Sequence, residues 1–325
     1  QNTLIGGLAG DALTTGAENV AIGAFALSAE DGHGKNVAVG TQALLSQNAG
    51  ADAHNTAVGY LAGKAVTTGV RNVLIGSTAG DAITDADFNV AVGDQALGDN
   101  TVGSRSVAVG YIALTSQNPS TATDMYNTAV GYQAGSNITT GIQNTIVGAL
   151  AGDSMTTGIS NTLIGFAAAS SGVITGRDNT AVGESAGAVL TSGVSNVFIG
   201  KDAGDTITGG SKNICIGQNA GSSSATDEHV IIIGHDINGS GNDFSFGKAS
   251  NIVTNDFDTD ANWSRSSDER LKKNITDQTL GLSFINDLRT VKYNWKASHE
   301  LDSSDSQLAH LYKEDPADNE MNTEA

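Results

Sequence analysis

Cysteine occurs once in this 325-residue chain, at Cys215, so no intrachain disulfide can staple it. Cation content is also low, with 16 Lys and Arg against 35 Asp and Glu for a formal net charge of −19. A surface this acidic repels phosphate backbones, which disfavours nucleic acid as a partner. No apolar run approaches the roughly 18 residues of a membrane-spanning helix, and no basic-then-apolar secretion signal opens the sequence. Charged residues make up 16% of the chain, well under the roughly 25% of an average soluble domain. Aromatics are scarce at 5%, and both tryptophans, Trp263 and Trp295, fall in the last fifth. Glycine is plentiful, but 40 of its 41 occurrences precede Trp263. The chain therefore holds at least two regions with different physics. It begins at Gln1, which reads as a fragment or a processed product.

What the long region does contain is a repeat. Taking Asn2-Thr3-Leu4-Ile5-Gly6 as the first unit, related units start at Asn19, Asn36, Asn55, Asn72, Asn89, Ser106, Asn127, Asn144, Asn161, Asn179, Asn196, Asn213 and Val230. Of the 13 intervals, ten are 17 residues and the others 18, 19 and 21. Twelve of the 14 anchors are Asn; the residue three on is always Ile or Val, and the residue four on is always Gly. Seven residues on, Ala stands in 13 units, with Ile237 the exception.

Each column has a physical reading. A β-branched residue before Gly predicts a short strand with that residue inward, then a bend that needs no side chain. Asn suits the turn into the strand, and stacked amides can bond between coils as a ladder. Ala fills a second inward position where backbones approach closely. Thr-Thr-Gly, as at Thr14 to Gly16 and Thr139 to Gly141, marks a second turn. Seventeen residues hold two short strands and two turns but not an ordinary helix and strand. The fold class predicted is all-β, a parallel β-solenoid of about 17 residues per coil over 1–237. At about 4.8 Å per coil, 14 coils make a rod on the order of 65 Å long. Its Ala, Gly and Val core is thin, so lateral association into a trimer is expected.

The series Asn55 to Gly63, Asn127 to Gly135 and Asn179 to Gly187 reads Asn-Thr-Ala-Val-Gly-x-x-Ala-Gly. It resembles the head repeats of trimeric autotransporter adhesins. That resemblance implies a left-handed β-roll with three chains to a head.

After Ile237 the period stops. Residues 238–266 read as a neck or linker, with short strands around Phe244, Phe246, Ile252-Val253 and Phe257. From Ser267 the string Ser-Asp-Glu-Arg-Leu-Lys-Lys-Asn-Ile opens a different segment, followed by apolar residues near helical spacing and Tyr293-Asn294-Trp295. This closely resembles the start of the peptidase S74 domain, the intramolecular chaperone of phage tail spikes, tail fibres and endosialidases. In that family the module trimerises the fibre, assists its folding and is cut off by its own serine. The resemblance makes 267–325 the start of a small α+β chaperone domain, truncated by the acidic tract at Glu314 to Glu320. It makes Ser267 the nucleophile, Lys272 its general base and the Ser266–Ser267 bond the site of a single-turnover cut. A serine hydroxyl needs such a neighbour to take its proton, and Lys can act so only when burial or nearby cations lower its pKa. Without the resemblance, the same residues read as a capped helix start with a solvated basic turn.

Other features weigh less. Tyr60, Tyr111, Tyr132 and Phe166 directly follow the Gly column, in a position that otherwise varies freely and should face outward. An aromatic ladder there could stack on sugar rings or pack against a neighbouring chain. Asp11, Asp81, Asp153 and Asp205 share one offset after Ala-Gly on non-adjacent coils and read as turn caps rather than cation ligands. The histidines (His33, His54, His229, His235, His299 and His310) have no ligand spacing, and Cys215 reads as a small core hydrophobe. No metal or cofactor is expected. No phosphate loop, metalloprotease motif or carboxylate pair occurs, so no multiple-turnover enzyme is expected.

The functional expectation is a virion protein: a homotrimeric tail fibre or spike segment that binds a host cell-surface glycan or protein and joins other tail proteins. A cell-surface trimeric adhesin and the shaft of a polysaccharide-degrading tailspike are the alternatives. Adhesins of that class end in a membrane-anchoring barrel, and the S74-like start favours the virus.

Overall fold

A computed structural model describes residues 1–258 and Ser304. The chain divides into two compact units, Gln1–Ala261 and Asn262–Ala325. The first is a parallel β-solenoid of about 14 turns with about 17 residues per turn, and no helix occurs among the described residues. Coils are numbered here 1 to 14 from the anchors above, and columns by their offset from the anchor.

Each coil contributes one strand, from Thr3–Ile5 in coil 1 to Ile231–His235 in coil 14. Thirteen of these strands are three residues long. All pair in parallel and in register with the next coil: Thr145 lies opposite Thr162, Ile146 opposite Leu163 and Val147 opposite Ile164. The sheet continues past the last repeat, with Asp243–Lys248 pairing parallel to Ile231–His235 and then Asn251–Asp256 turning back antiparallel. The reversed strand gives the growing sheet edge a partner that does not continue the repeat.

The rest of each coil is turn, where two strands per coil were expected. A second extended segment forms only at Gly103–Ser104 with Thr123–Asp124 and at Gly221–Ser222 with Asn238–Gly239. Elsewhere that side stacks through backbone bonds, such as Leu27 N to Ala43 O at 3.0 Å and Thr67 N to Thr84 O at 3.0 Å, without extended geometry. The chain must bend more tightly than two strands allow. It does so with left-handed residues: columns 6 and 8 turn at positive φ, as at Leu8 (59°) and Gly10 (60°).

The β-branched column also faces the other way from expectation. The anchor and column 2 point inward, so columns 1 and 3, two residues apart, both point outward by the period-2 rule. Column 2 (Ala21, Ala38, Leu74, Ile146, Phe198) is fully buried, whereas the column 3 residues Ile75, Val130, Val147 and Ile164 are exposed. Column 4 requires glycine in every coil. Gly6 has φ +130°, and a Cβ there would stand 2.7 Å from the carbonyl carbon of Gly23 in the next coil.

In several coils a large side chain in one core column stands against a small residue in another. In coils 2, 3, 6 and 7, Leu27, Leu44, Leu97 and Leu114 occupy column 8 and column 2 is Ala (Ala21, Ala38, Ala91, Ala108). In coils 5 and 9, Leu74 and Ile146 fill column 2 while column 8 is Gly80 and Gly152. A Cβ on Gly80 would meet Leu74 Cδ2 and Ile83 Cδ1, each at 2.8 Å. In these coils the large side chain moves from one wall of the coil to the other.

The anchors form the expected ladder. Asn144 N donates to Asn127 Oδ1 (3.0 Å), Asn161 N to Asn144 Oδ1 (2.9 Å) and Asn196 N to Asn179 Oδ1 (3.0 Å). Most of the amide nitrogens also reach a carbonyl at the far turn, as Asn144 Nδ2 does to Gly158 O at 2.8 Å, whereas Asn36 Nδ2 is buried without a partner. A buried amide thus satisfies donors and acceptors that the narrow coil could not otherwise pair.

Candidate functional site

Among the described residues, the outward side of the sheet forms one uniform stripe. Columns 1 and 3 contain only Thr, Val and Ile in all 14 coils, from Thr3 and Ile5 to Ile231 and Ile233. Not one charged residue interrupts them in a chain of net charge −19. Strands of three residues span about 10 Å, so a stack on the order of 65 Å long presents roughly 600 Å². That is at or above the largest apolar patch usual on a monomer. In-register pairing keeps the patch straight, and β-branched side chains, stiff at χ1, keep it firm.

Two columns border this face. At the end of each strand, column 5 carries the aromatics read from the sequence, all exposed: Tyr60, Tyr111, Tyr132 and Phe166. The fold brings only two of them together. Tyr111 and Tyr132, on coils 7 and 8, stack with ring centroids 5.5 Å apart and planes 16° from parallel. Tyr60 is three coils away, and Ala149 separates Phe166 from Tyr132, so there is one aromatic pair rather than a continuous ladder.

The other border is the residue before each anchor, which sequence reading passed over. There Lys35, His54, Arg71, Phe88, Arg105 and Tyr126 succeed one another on six consecutive coils, all exposed. Arg71 and Arg105 lie over the Phe88 ring from the coils on either side, 5.3 and 4.7 Å from its centroid. Acidic residues flank the stripe: Lys35 Nζ lies 2.8 Å from Asp52 and Arg105 Nε 2.9 Å from Asp124, which also accepts from Tyr126 Oη at 3.1 Å. All six residues sit at positive φ, 65° at Lys35 and 58° at Phe88, so the backbone fans them outward. Writing the repeats one beneath another and reading the column before Asn would have found them.

Asp11, Asp81, Asp153 and Asp205 fall on coils 1, 5, 9 and 12 and never meet. Partial burial raises the carboxyl pKa of Asp81, Asp153 and Asp205 above the usual range.

Cys215 is a fully buried column 2 residue, paired in register with Phe198 and Ile232. Burial first, and the nearby Asp205 second, push its thiol up to about 12. A thiol raised above its unfolded value stabilises the fold below pH 9 and ceases to do so as pH rises through 12. Cys215 is therefore expected to stay silent towards a thiol-reactive chromophore at pH 8 in the native protein and to react fully in denaturant. Prompt reaction of the native protein would mean that coils 12 and 13 open locally.

Ser266, Ser267 and Lys272 lie outside the described residues. The Peptidase S74 family, described as the chaperone of endosialidase, matches residues 267–310, the segment that begins at the expected nucleophile. A search of curated proteins gave no match.

Proposed function

We propose that this chain is the shaft of a homotrimeric viral tail fibre or tailspike, followed by a self-releasing chaperone. The observation that carries the reading is the endosialidase-chaperone match at 267–310 directly after a β-solenoid. A solenoid of identical coils has no intrinsic register, so three chains could pair one coil out of step. A module that gathers three chains at one end sets the register before the shaft zips. The uncharged outward stripe supports the trimer: roughly 600 Å² per chain approaches the roughly 800 Å² per partner of a stable interface.

On this reading Ser267 Oγ attacks the Ser266 carbonyl, Lys272 takes the hydroxyl proton, and the peptide bond to the Ser267 nitrogen breaks. Water then hydrolyses the ester. The reaction turns over once and leaves a shaft ending at Ser266. Host attachment falls to the borders of the face, where Tyr111 and Tyr132 and the Arg71–Phe88–Arg105 stack offer stacking surfaces to a cell-surface glycan or protein. The protein would then reside in the virion, joined to other tail proteins.

The test is the denatured intact mass of the parent protein, read to its own stop codon, beside a Ser267→Ala version. The expected result is a break between Ser266 and Ser267 that the Ala version lacks. Full-length mass in both would remove Ser267 and Lys272 from chemistry and leave the segment to assembly alone.

A further inference from the structure

We infer that Glu30, Asp31 and His33, in the far turn of coil 2, form a binding site for a divalent transition-metal ion of the zinc type. Column 11 is a core column: Val66, Ile83, Ile138, Met155, Leu190 and Ile207 fill it elsewhere, all fully buried. Coils 2, 3, 6 and 7, whose Leu in column 8 already occupies the core, place polar residues there instead: Glu30, Gln47, Asn100 and Gln117.

Three of these four slots have both sides of the amide or the acceptor oxygen engaged by built partners. Gln47 Nε2 donates to Thr67 O (3.0 Å) and its Oε1 accepts from Asn55 Nδ2 (2.6 Å). Asn100 bonds Gly103 in both directions, at 3.0 and 2.7 Å. Gln117 Oε1 accepts from Ser106 Oγ at 3.0 Å and Asn127 Nδ2 at 2.9 Å, although its Nε2 has no partner. Glu30 is the one carboxylate of the four. It is fully buried, its Oε1 accepts only from His33 N (3.1 Å), and its Oε2 has no partner. His33 Nδ1 is also buried without a hydrogen-bond partner. A buried carboxylate left this way costs several kcal/mol unless something compensates it.

The geometry points to a cation as the compensation. One ligand atom from each of Glu30, Asp31 and His33 lies within 4.8 Å of the others. His33 Nδ1 stands 3.8 Å from Glu30 Oε1, too far for a hydrogen bond. Two ligands on one tetrahedral zinc, with bonds of about 2.0–2.2 Å, lie roughly 3.4 Å apart, so a contraction of a few tenths of an ångström closes the pair. Asp31 is exposed and free to swing in. Two carboxylates, a neutral imidazole and a doubly charged ion sum to zero charge, which suits the buried end of the site. An imidazole nitrogen among the ligands favours zinc over calcium or magnesium, which take oxygen. Three ligands from four successive residues leave a fourth position to water, and the ion's role is to lock the turn.

The test uses the whole chain, stripped with chelator and titrated with zinc chloride against a chromophoric competitor. One zinc per chain is expected, with a higher thermal midpoint in its presence. Glu30→Gln and His33→Ala should each weaken binding at least tenfold and abolish the thermal shift. Glu30→Gln installs the side chain that coil 3 already accommodates at Gln47, so it keeps the fold, which far-UV circular dichroism checks. No zinc on the parent chain, or undiminished binding in both variants, would overturn the site.

Discussion

If the chain forms the trimer proposed above, lysine at both Val92 and Val109 is expected to reduce it to a single chain, bringing its mass in light scattering to 32.9 kDa. Both residues lie in column 3 of adjacent central coils, half-buried and paired in register. In an isolated chain they point away from the core, so lysine there costs only the roughly 1 kcal/mol spread of strand preference. In a trimer that buries the outward stripe, the same two positions put six ammonium groups near one axis. No carboxylate lies in columns 1 or 3 to pair with them. The desolvation penalty for unpaired buried charge is several kcal/mol per group, which takes up much of the roughly 15 kcal/mol per chain that burying about 600 Å² supplies before the cost of association is met. Thr68→Lys, in an exposed turn on the far side of the coil, serves as the control and should leave the mass unchanged. A strand signal retained in circular dichroism beside a single-chain mass would place the interface on this stripe. An unchanged mass in the double variant would place it elsewhere.

The repeat was legible because it is carried by residues with few alternatives. Gly in column 4 stacks backbone on backbone and stands in all 14 coils, and Asn at the anchor bonds the next coil and stands in twelve. The facing of columns 1 and 3 was not legible from column 3 alone. A β-branched residue suits either face of a strand, and only counting from the buried Asn, two residues at a time, assigns the side. The second strand was overestimated for a similar reason: residue counts set how much chain a coil has, whereas left-handed bends at columns 6 and 8 set how much of it can extend. Core filling was hidden because it is shared. Column 8 reads as an unexplained mixture of Gly and Leu until it is set beside column 2, where the missing volume lies.

The candidate sites divide along the same line. Tyr111 and Tyr132 were visible because both follow an invariant glycine. The Arg71–Phe88–Arg105 stack joins residues 17 apart in sequence and about 4.8 Å apart in rise, and only column-wise reading makes them neighbours. His33 shows no ligand spacing with another histidine, and its relation to Glu30 emerges once column 11 is known to be core. Ser267 and Lys272 were read from a motif, and the family match covers that motif without reaching the geometry of the pair.

Asn161→Leu is expected to cost about 1–3 kcal/mol and to cut the solenoid into two weakly coupled halves. Asn161 is 1% exposed. Its Oδ1 accepts from Asn179 N at 3.1 Å and Asn179 Nδ2 at 3.0 Å, and its Nδ2 donates to Gly176 O at 3.1 Å. Leucine removes both halves of the amide, so the Asn179 N–H loses its buried partner at about 1–3 kcal/mol, while the Gly176 carbonyl keeps Ile159 N as a donor at 3.3 Å. Asn179 Nδ2 keeps its bond to Gly193 O at 2.9 Å, so the ladder beyond coil 11 survives. In a solenoid each coil touches only its neighbours, and a weakened interface divides the cooperative unit instead of draining it evenly. Thermal unfolding should therefore split into two steps, and limited proteolysis should gain a cut in the Ser170–Gly176 turn of coil 10. Asn161→Ser should lie between, since Ser106 already serves as an anchor in coil 7 with Gln117 accepting from its hydroxyl at 3.0 Å. A single transition with a loss under about 1 kcal/mol would mean that water replaces the amide in the ladder. The buried asparagines would then hold the register of the coils without holding the coils together.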